Sequence, residues 1–375
     1  MYEKAVEMYE KAVELDPAFV LAYVKLAVVH SILYVPKTWD HTPERLDRSR
    51  ANLAKAIELA PSHPEVHFAK GYYLEWIDKD LDQALKEYRL ALKDQPNNSE
   101  LLGSVGTILL GRGKPEEATD FFLKSYELDP KSINQAYWVS WSHMLQRNWV
   151  EALKWMDISI AAHPEASLGY YKKAEIYLYG YGDLKKARAV LEDGSSNIKD
   201  FYKAYYIRLI ETYARNYLEA LNIAQSDDWR PHYNYIYMGQ IHDWMGDRIN
   251  AKSSYDSAKL MLEILVEESP ENAFHLVSLG QAYAGLGNRE KALYWGNKAV
   301  EMHPIRSDPY SSGENILLFF AQIKIILREY AEAIDHLETL LSIPSQVTVW
   351  MLKLDPLYGP IRDHPRFQKI IAQVH

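Results

Sequence analysis

The chain contains no cysteine. That absence excludes a disulfide framework, thiol catalysis and cysteine-ligated zinc or iron–sulfur sites. Long apolar runs are missing too: no window of about eighteen residues is free enough of charge to span a bilayer. The N-terminus lacks the uninterrupted apolar core of a signal peptide. A basic excess is also absent, with 51 acidic against 42 basic residues and a formal charge of -9. Neutralising phosphates requires clustered Lys and Arg, so the composition argues against nucleic-acid and anionic-membrane surfaces. The expectation is a chain without membrane or nucleic-acid partners, cytoplasmic by default.

What the chain has in quantity is aromatic and apolar side chains, 28 Tyr and 10 Trp within an apolar fraction of 48%. These recur periodically. Residues 84–96 read ALKEYRLALKDQP, 118–130 ATDFFLKSYELDP, 152–164 ALKWMDISIAAHP and 292–304 ALYWGNKAVEMHP. Pro96, Pro130 and Pro164 are 34 residues apart, as are Pro270 and Pro304. The other half of each unit is legible in SELLGSVGTILLGRGKPEE (99–117) and AFHLVSLGQAYAGLGNREK (273–291). Apolar residues there fall at helical spacing, and a small residue sits where two backbones must approach: Ala27, Gly71, Gly106, Ser140, Ala174, Gly239, Gly280 and Ala321. Each unit is therefore expected to be two helices joined by a short turn such as GRGK, MGDR or LGNR.

The period, the small and aromatic positions and the closing proline resemble the tetratricopeptide repeat family over nearly the whole chain. The resemblance implies an all-α fold, a right-handed superhelical solenoid of about ten helix–turn–helix repeats. Residues 1–17, with Ala5, Tyr9, Ala12 and Pro17 in the closing frame, match only the second helix of a unit. A first helix is expected to precede them in a longer polypeptide, the alternative being a natural start with a lone capping helix.

Departures from the period suggest boundaries. Extra residues occur around YVPKTWDHTPERLDRSR (34–50), where Thr42, Pro43 and Glu44 have the character of a helix cap and first turn. Near LEDGSSNIKDFY (191–202) the closing proline is missing, and the helix ending at Pro270 is about two turns too long. The expected divisions are a sub-array over 1–193, a second over 194–345 and a terminal cap over 346–375. Within the last, LDPLYGPIRDHPRF is similar to the closing segment of repeat domains attached to bacterial kinases, nucleotide cyclases and winged-helix or TolB-like regulators. That similarity implies a regulatory protein with an N-terminal effector.

No motif for catalysis emerges, and no catalytic, cofactor-binding or metal-binding residue is expected. GRGKP (111–115) has Pro115 where a phosphate-binding loop needs Ser or Thr, and GYGD (180–183) lacks a strand–helix context. His63, His163, His303 and His364 each precede proline, and two of them fall at the repeat-closing position beside a helix's carbonyl end. His242, Asp243 and Asp247 belong to a turn that other units share. Carboxylate pairs such as Glu116 with Glu117 read as solvated faces.

The first helices of such an array form its inner surface. Helical register places Phe68, Tyr72 and Trp76 inward in one unit, Tyr137, Trp138 and Trp141 in another, and Tyr171, with Lys172 and Glu175, in the next. The expected function is a protein-interaction scaffold taking a partner's peptide or helix on these rings. Rival expectations are a sensory module of a signalling protein and self-association into a homo-oligomer. The carboxylate clamp for chaperone tails is disfavoured, because Phe68, Thr107 and Trp141 stand where it needs Lys, Asn or Arg. The competing expectation, favoured by the generous use of Tyr and Trp for packing in repeats of this kind, is that the rings are core between neighbouring helices.

Overall fold

The computed structural model describes residues 2–35, 42–194, 200–226, 230–305 and 312–372. Every regular element among them is helical, and the chain forms two compact units, 1–109 with 117–135 and 110–116 with 136–375. The fold class is all-α, a repeat of helix pairs.

The first unit starts with α1 (Tyr2–Leu15), followed by α2 (Val20–Tyr34) paired with α3 (Pro43–Leu59). Next come α4 (Pro64–Tyr73), which runs into a π-turn at Leu74–Asp78, and its partner α5 (Leu81–Asp94). A third pair is α6 (Ser99–Gly111) with α7 (Pro115–Leu128). Thr42 caps α3 by accepting from the Arg45 amide at 3.3 Å, with Pro43 in the first turn. The preceding part of that insert, 36–41, lies outside the described residues, as do 195–199 at the expected boundary of sub-arrays.

The second unit continues with α8 (Ile133–Leu145) and α9 (Trp149–Ala162), then α10 (Ser167–Tyr181) and α11 (Leu184–Asp193). The pairs α12 (Asp200–Tyr213) with α13 (Tyr217–Ser226) and α14 (Pro231–Trp244) with α15 (Arg248–Glu268) follow. At 21 residues α15 is longer than the 14 of α9 and α17, as the sequence implies. Last come α16 (Ala273–Gly285) with α17 (Arg289–Met302) and α18 (Ser312–Ile326) with α19 (Tyr330–Ser342). The tail is irregular: α20 (Val349–Leu354), a 3-10 turn at Pro356–Ile361 and α21 (Pro365–Ala372).

Three local devices explain the recurrence. The residue before a closing proline leaves the helical region of backbone space, because the proline ring disfavours it there. Ala60, Gln95, His163, Ser269 and His303 all do so, with φ between -125° and -152° and ψ of 60° to 72°. Of the four His-Pro pairs, His163 and His303 close helices, whereas His63 and His364 open them, each ring accepting from the backbone amide two residues on.

The turn inside each pair needs one left-handed residue followed by a cap. Gly182, Gly246 and Gly287 take that conformation at φ of 66° to 79°. Asp183, Asp247 and Asn288 then accept from the amide three residues on, at 2.9–3.2 Å. Lys79 and Arg147 occupy the same position without glycine's freedom, at φ of 58° and 57°, and Arg215 and Arg328 also have positive φ.

The third device is the small residue of the first helix. A Cβ on Gly71 would stand 2.6 Å from the Tyr88 ring, one on Gly106 2.5 Å from Phe122, and one on Gly239 2.6 Å from Tyr255. Ring and glycine interlock, setting the helix separation. Ser140 serves α8 and α9 differently, donating to the Ala152 carbonyl at 2.7 Å.

Gly106→Ala is expected to lower stability by about 1–3 kcal/mol, since the fully buried Phe122 has nowhere to move and the gain in helix propensity offsets only part of that cost. Gly246→Ala meets no neighbouring atom within 4 Å and should cost less, only the strain of its φ. Chemical denaturation of both variants against the parent measures the difference.

Candidate functional site

The rings singled out from register divide into two sets. In the first unit Phe68 is core, 4% exposed with its ring 5.9 Å from that of Tyr88. Tyr72 is half-buried, and Trp76, on the π-turn, is 40% exposed with Lys79 above its face at 5.3 Å. Beside them Glu75 is buried and accepts from Tyr88 at 2.8 Å and Thr107 at 3.3 Å. Burial pushes its carboxyl up to about 7 despite those hydrogen bonds.

In the second unit Tyr137, Trp138, Trp141 and Tyr171 are all half-buried. Tyr137 stacks on Trp141 at 6.1 Å and meets Trp138 at 5.0 Å. The Lys172 ammonium lies 4.4 Å above Trp141, and Tyr171 stacks on Tyr202 at 4.7 Å and Tyr206 at 5.9 Å. These rings form a ladder across successive first helices α8, α10 and α12. Its lower edge packs on the core cluster of Met144, Trp149, Met156 and Ile176.

Register in these units did not reveal what lies beyond the ladder. First helices α10, α12, α14, α16 and α18 surround a cavity of about 480 Å³, and the tail residues Gln346, Val347, Met351, Asp355 and Leu357 form a further wall. Six tyrosines line it: Tyr179, Tyr205, Tyr206, Tyr213, Tyr233 and Tyr237. Tyr205 keeps 37% of its surface accessible although burial raises its phenol's pKa, because that surface is cavity wall. The inward positions of α12 and α14 that supply most of these rings carry the same spacing as the ladder, so extending the register would have found them.

Charged groups in the cavity wall are held by specific partners. Glu175 accepts from Lys172 at 2.8 Å and from the Tyr206 hydroxyl at 3.0 Å. Arg208, only 6% exposed, lies between Tyr237 and Tyr205, with its guanidinium carbon 4.4 and 5.5 Å from their centroids. Its Nη1 donates to Asn234, and its Nε has no hydrogen-bond partner. Glu314, 1% exposed, accepts from the Gln346 amide at 2.6 Å through Oε1, while Oε2 has none. Burial pushes Glu314 up to about 7 and Asp355 up to about 6, against backbone hydrogen bonds and nearby arginines that favour the charged forms.

The tail is fastened by arginines in the turns. Arg147 Nη2 donates to the carbonyls of Leu341 at 3.1 Å and Ile343 at 3.3 Å, with Val347 at 3.5 Å. Arg215 Nη1 donates to the Leu354 carbonyl at 2.7 Å and to Thr212 and Tyr213 at 3.2 Å. Both have the left-handed φ that glycine would adopt without strain. Trp350 packs so closely on Gly182 that a Cβ there would stand 2.5 Å from its ring. The far end of the tail covers α18 and α19, burying Leu352, Leu357, Tyr358, Ile361, Phe367 and Ile370 with Ile334 and Leu337.

Among the described residues no three His, Asp or Glu side chains gather as metal ligands. His242 and Asp247 are 3.7 Å apart, and Asp243 instead accepts from Tyr255 at 3.1 Å. No helix among the described residues is long and apolar enough to cross a membrane.

Tetratricopeptide repeat models match residues 44–99, 78–133 and 251–311, and a further one matches 1–19, so the chain contains tetratricopeptide repeats. It is 24% identical over 381 residues to TPR repeat-containing protein MJ1428 of Methanocaldococcus jannaschii, covering 94% of this chain and 63% of that protein. It is also 24% identical over 294 residues to the BBSome complex member BBS4 of Mus musculus, covering 78% of this chain and 48% of that one. The chain thus spans less than two thirds of the length of these curated relatives. Among solved structures, yeast Tom70 superposes with a TM-score of 0.48 at 14% identity, covering 99% of this chain and 89% of that one.

Two outcomes check the geometry. Replacing Arg147 by glycine removes the strained φ and the tail hydrogen bonds together, whereas alanine removes only the bonds and retains the strain. Hydrogen exchange in residues 343–354 should accelerate in both, with Arg147→Ala the less stable by about 1 kcal/mol. The second concerns pH. The fold holds the Glu314 proton more tightly than the unfolded chain does, so its contribution is complete below the ordinary 4.5 and lost as pH rises to about 7. Glu314→Gln keeps the acceptor for Gln346 and should gain melting temperature relative to the parent as pH climbs from 4.5 to 7.

Proposed function

We propose that this chain is a binding scaffold that takes a peptide or amphipathic helix of a protein partner on the ladder of Tyr137, Trp138, Trp141 and Tyr171. The observation that carries the reading is that Tyr137, Trp138 and Trp141 adjoin on α8, that the Lys172 ammonium of α10 lies over both Trp141 and Tyr171, and that none of the four rings is wholly buried. A Trp or Tyr desolvated at the centre of an interface typically contributes about 2 kcal/mol or more. Lys172 over Trp141 adds a cation that can meet a partner carboxylate. The net charge of -9 favours a protein over a nucleic acid as partner. Tyr72 and Trp76 in the first unit offer a second aromatic pair, 6.2 Å apart, whose ligand need not be the same. Binding without catalysis is the mechanism.

The second reading is a regulatory module of a longer polypeptide. It is favoured by the tail, which is tied by single arginines over the wall of a cavity and so couples that cavity's contents to the end of the array.

Peptides selected from a random displayed library on the full chain supply the test. Those that bind the ladder should lose at least tenfold affinity for Trp141→Ala, about 1.4 kcal/mol, and less for Trp76→Ala. Undiminished binding to Trp141→Ala, in a variant whose melting temperature drops, would make the rings packing alone.

A further inference from the structure

The cavity of the second unit adjoins the ladder through Lys172 and Tyr206, and its wall carries more than the fold requires. Burying a polar atom without a partner costs about 1–3 kcal/mol, and two residues that line this one space each hold one such atom. One is a donor, Nε of Arg208, on a guanidinium already oriented by two tyrosine faces and by Asn234. The other is an acceptor, Oε2 of Glu314, whose second oxygen is committed to the tail amide of Gln346. They belong to different helices, α12 and α18. Glu175, the other carboxylate of the first-helix wall, is satisfied by Lys172 and Tyr206 and calls for nothing further.

We propose that this cavity binds a small zwitterion, a free amino acid or dipeptide, with its carboxylate on Arg208 and its amine on Glu314. The space of about 480 Å³ lies within the usual range for small-molecule sites. Two extended residues span about 7 Å, a length such a space accommodates. A guanidinium edge takes a carboxylate through paired N–H bonds, and a carboxylate oxygen facing an ammonium satisfies both charges away from water. Tyr179, Tyr205, Tyr213 and Tyr237 supply the faces against which side chains pack. Because Gln346 links Glu314 to the tail, occupation of the cavity stiffens the segment that walls it.

The test uses the full chain and a panel of free L-amino acids and dipeptides, each beside its N-acetyl and methyl-ester forms, with nucleoside monophosphates as a separate arm. Calorimetric titration and thermal shift are the readouts. At least one free zwitterion should bind, and capping either end should weaken it tenfold or more. Glu314→Gln should erase the penalty of N-acetylation alone, and Arg208→Lys should reduce the penalty of esterification alone. Equal binding of free and capped forms, binding by the nucleotides only, or no binding by any free zwitterion overturns the proposal. The capped ligands decide between these outcomes on the unmodified protein, so a variant that fails to fold does not alter the result.

Discussion

The structure depends on the close approach of two helices through a residue that has almost no side chain. Gly71, Gly106 and Gly239 each receive a ring from the following helix, Tyr88, Phe122 and Tyr255 respectively. A ring seated against backbone fixes both separation and rotation, because interiors this dense leave no room to slide. The consequence is that each of these three pairs has its first helix set in one rotation against its partner. The same contact makes the rings that are not seated in this way available for other uses. Tyr137, Trp141 and Tyr171 are of that kind.

A stack of such pairs has ends whose apolar faces must be covered. Here the covering segment does two things. Its 3-10 turn and α21 close over α18 and α19 with Tyr358, Ile361 and Phe367. Its earlier part, from Gln346 to Leu357, lies along first helices far back in sequence, with Leu354 packed on the cluster of Leu178, Tyr206 and Tyr213. The strain of a left-handed arginine at two turns, of order 1 kcal/mol each, is offset by the carbonyls those side chains reach. Glycine at Arg147 or Arg215 would relax the backbone and release the tail. A surface that is open in a bare repeat array thereby becomes a walled cavity, and groups such as Glu314 and Asp355 acquire proton affinities that they would not have in water.

The helix pairs were legible because their causes are local. Pro96, Pro164 and Pro304 end helices through their own rings, Asp183 and Asn288 start them through a hydrogen bond three residues long, and the glycines announce close contact by spacing alone. Thr42 was readable as a cap for the same reason. Phe68 illustrates the limit. Register puts it on the inner side of α4, yet Tyr88 reaches across to enclose it, and the sequence has no mark to separate an inward ring that is covered from one, like Trp76, that is not.

By itself, then, the amino-acid order determined the period, the two helices per unit, their caps and the aromatic face, since each follows from interactions within about forty residues. Only tertiary structure decided that residues near 350 return to Arg147 and Arg215 and that Glu314 shares a chamber with Arg208. Those meetings join positions a hundred residues or more apart, where no periodicity carries information and only the completed packing of the tail chooses which side chains are enclosed together.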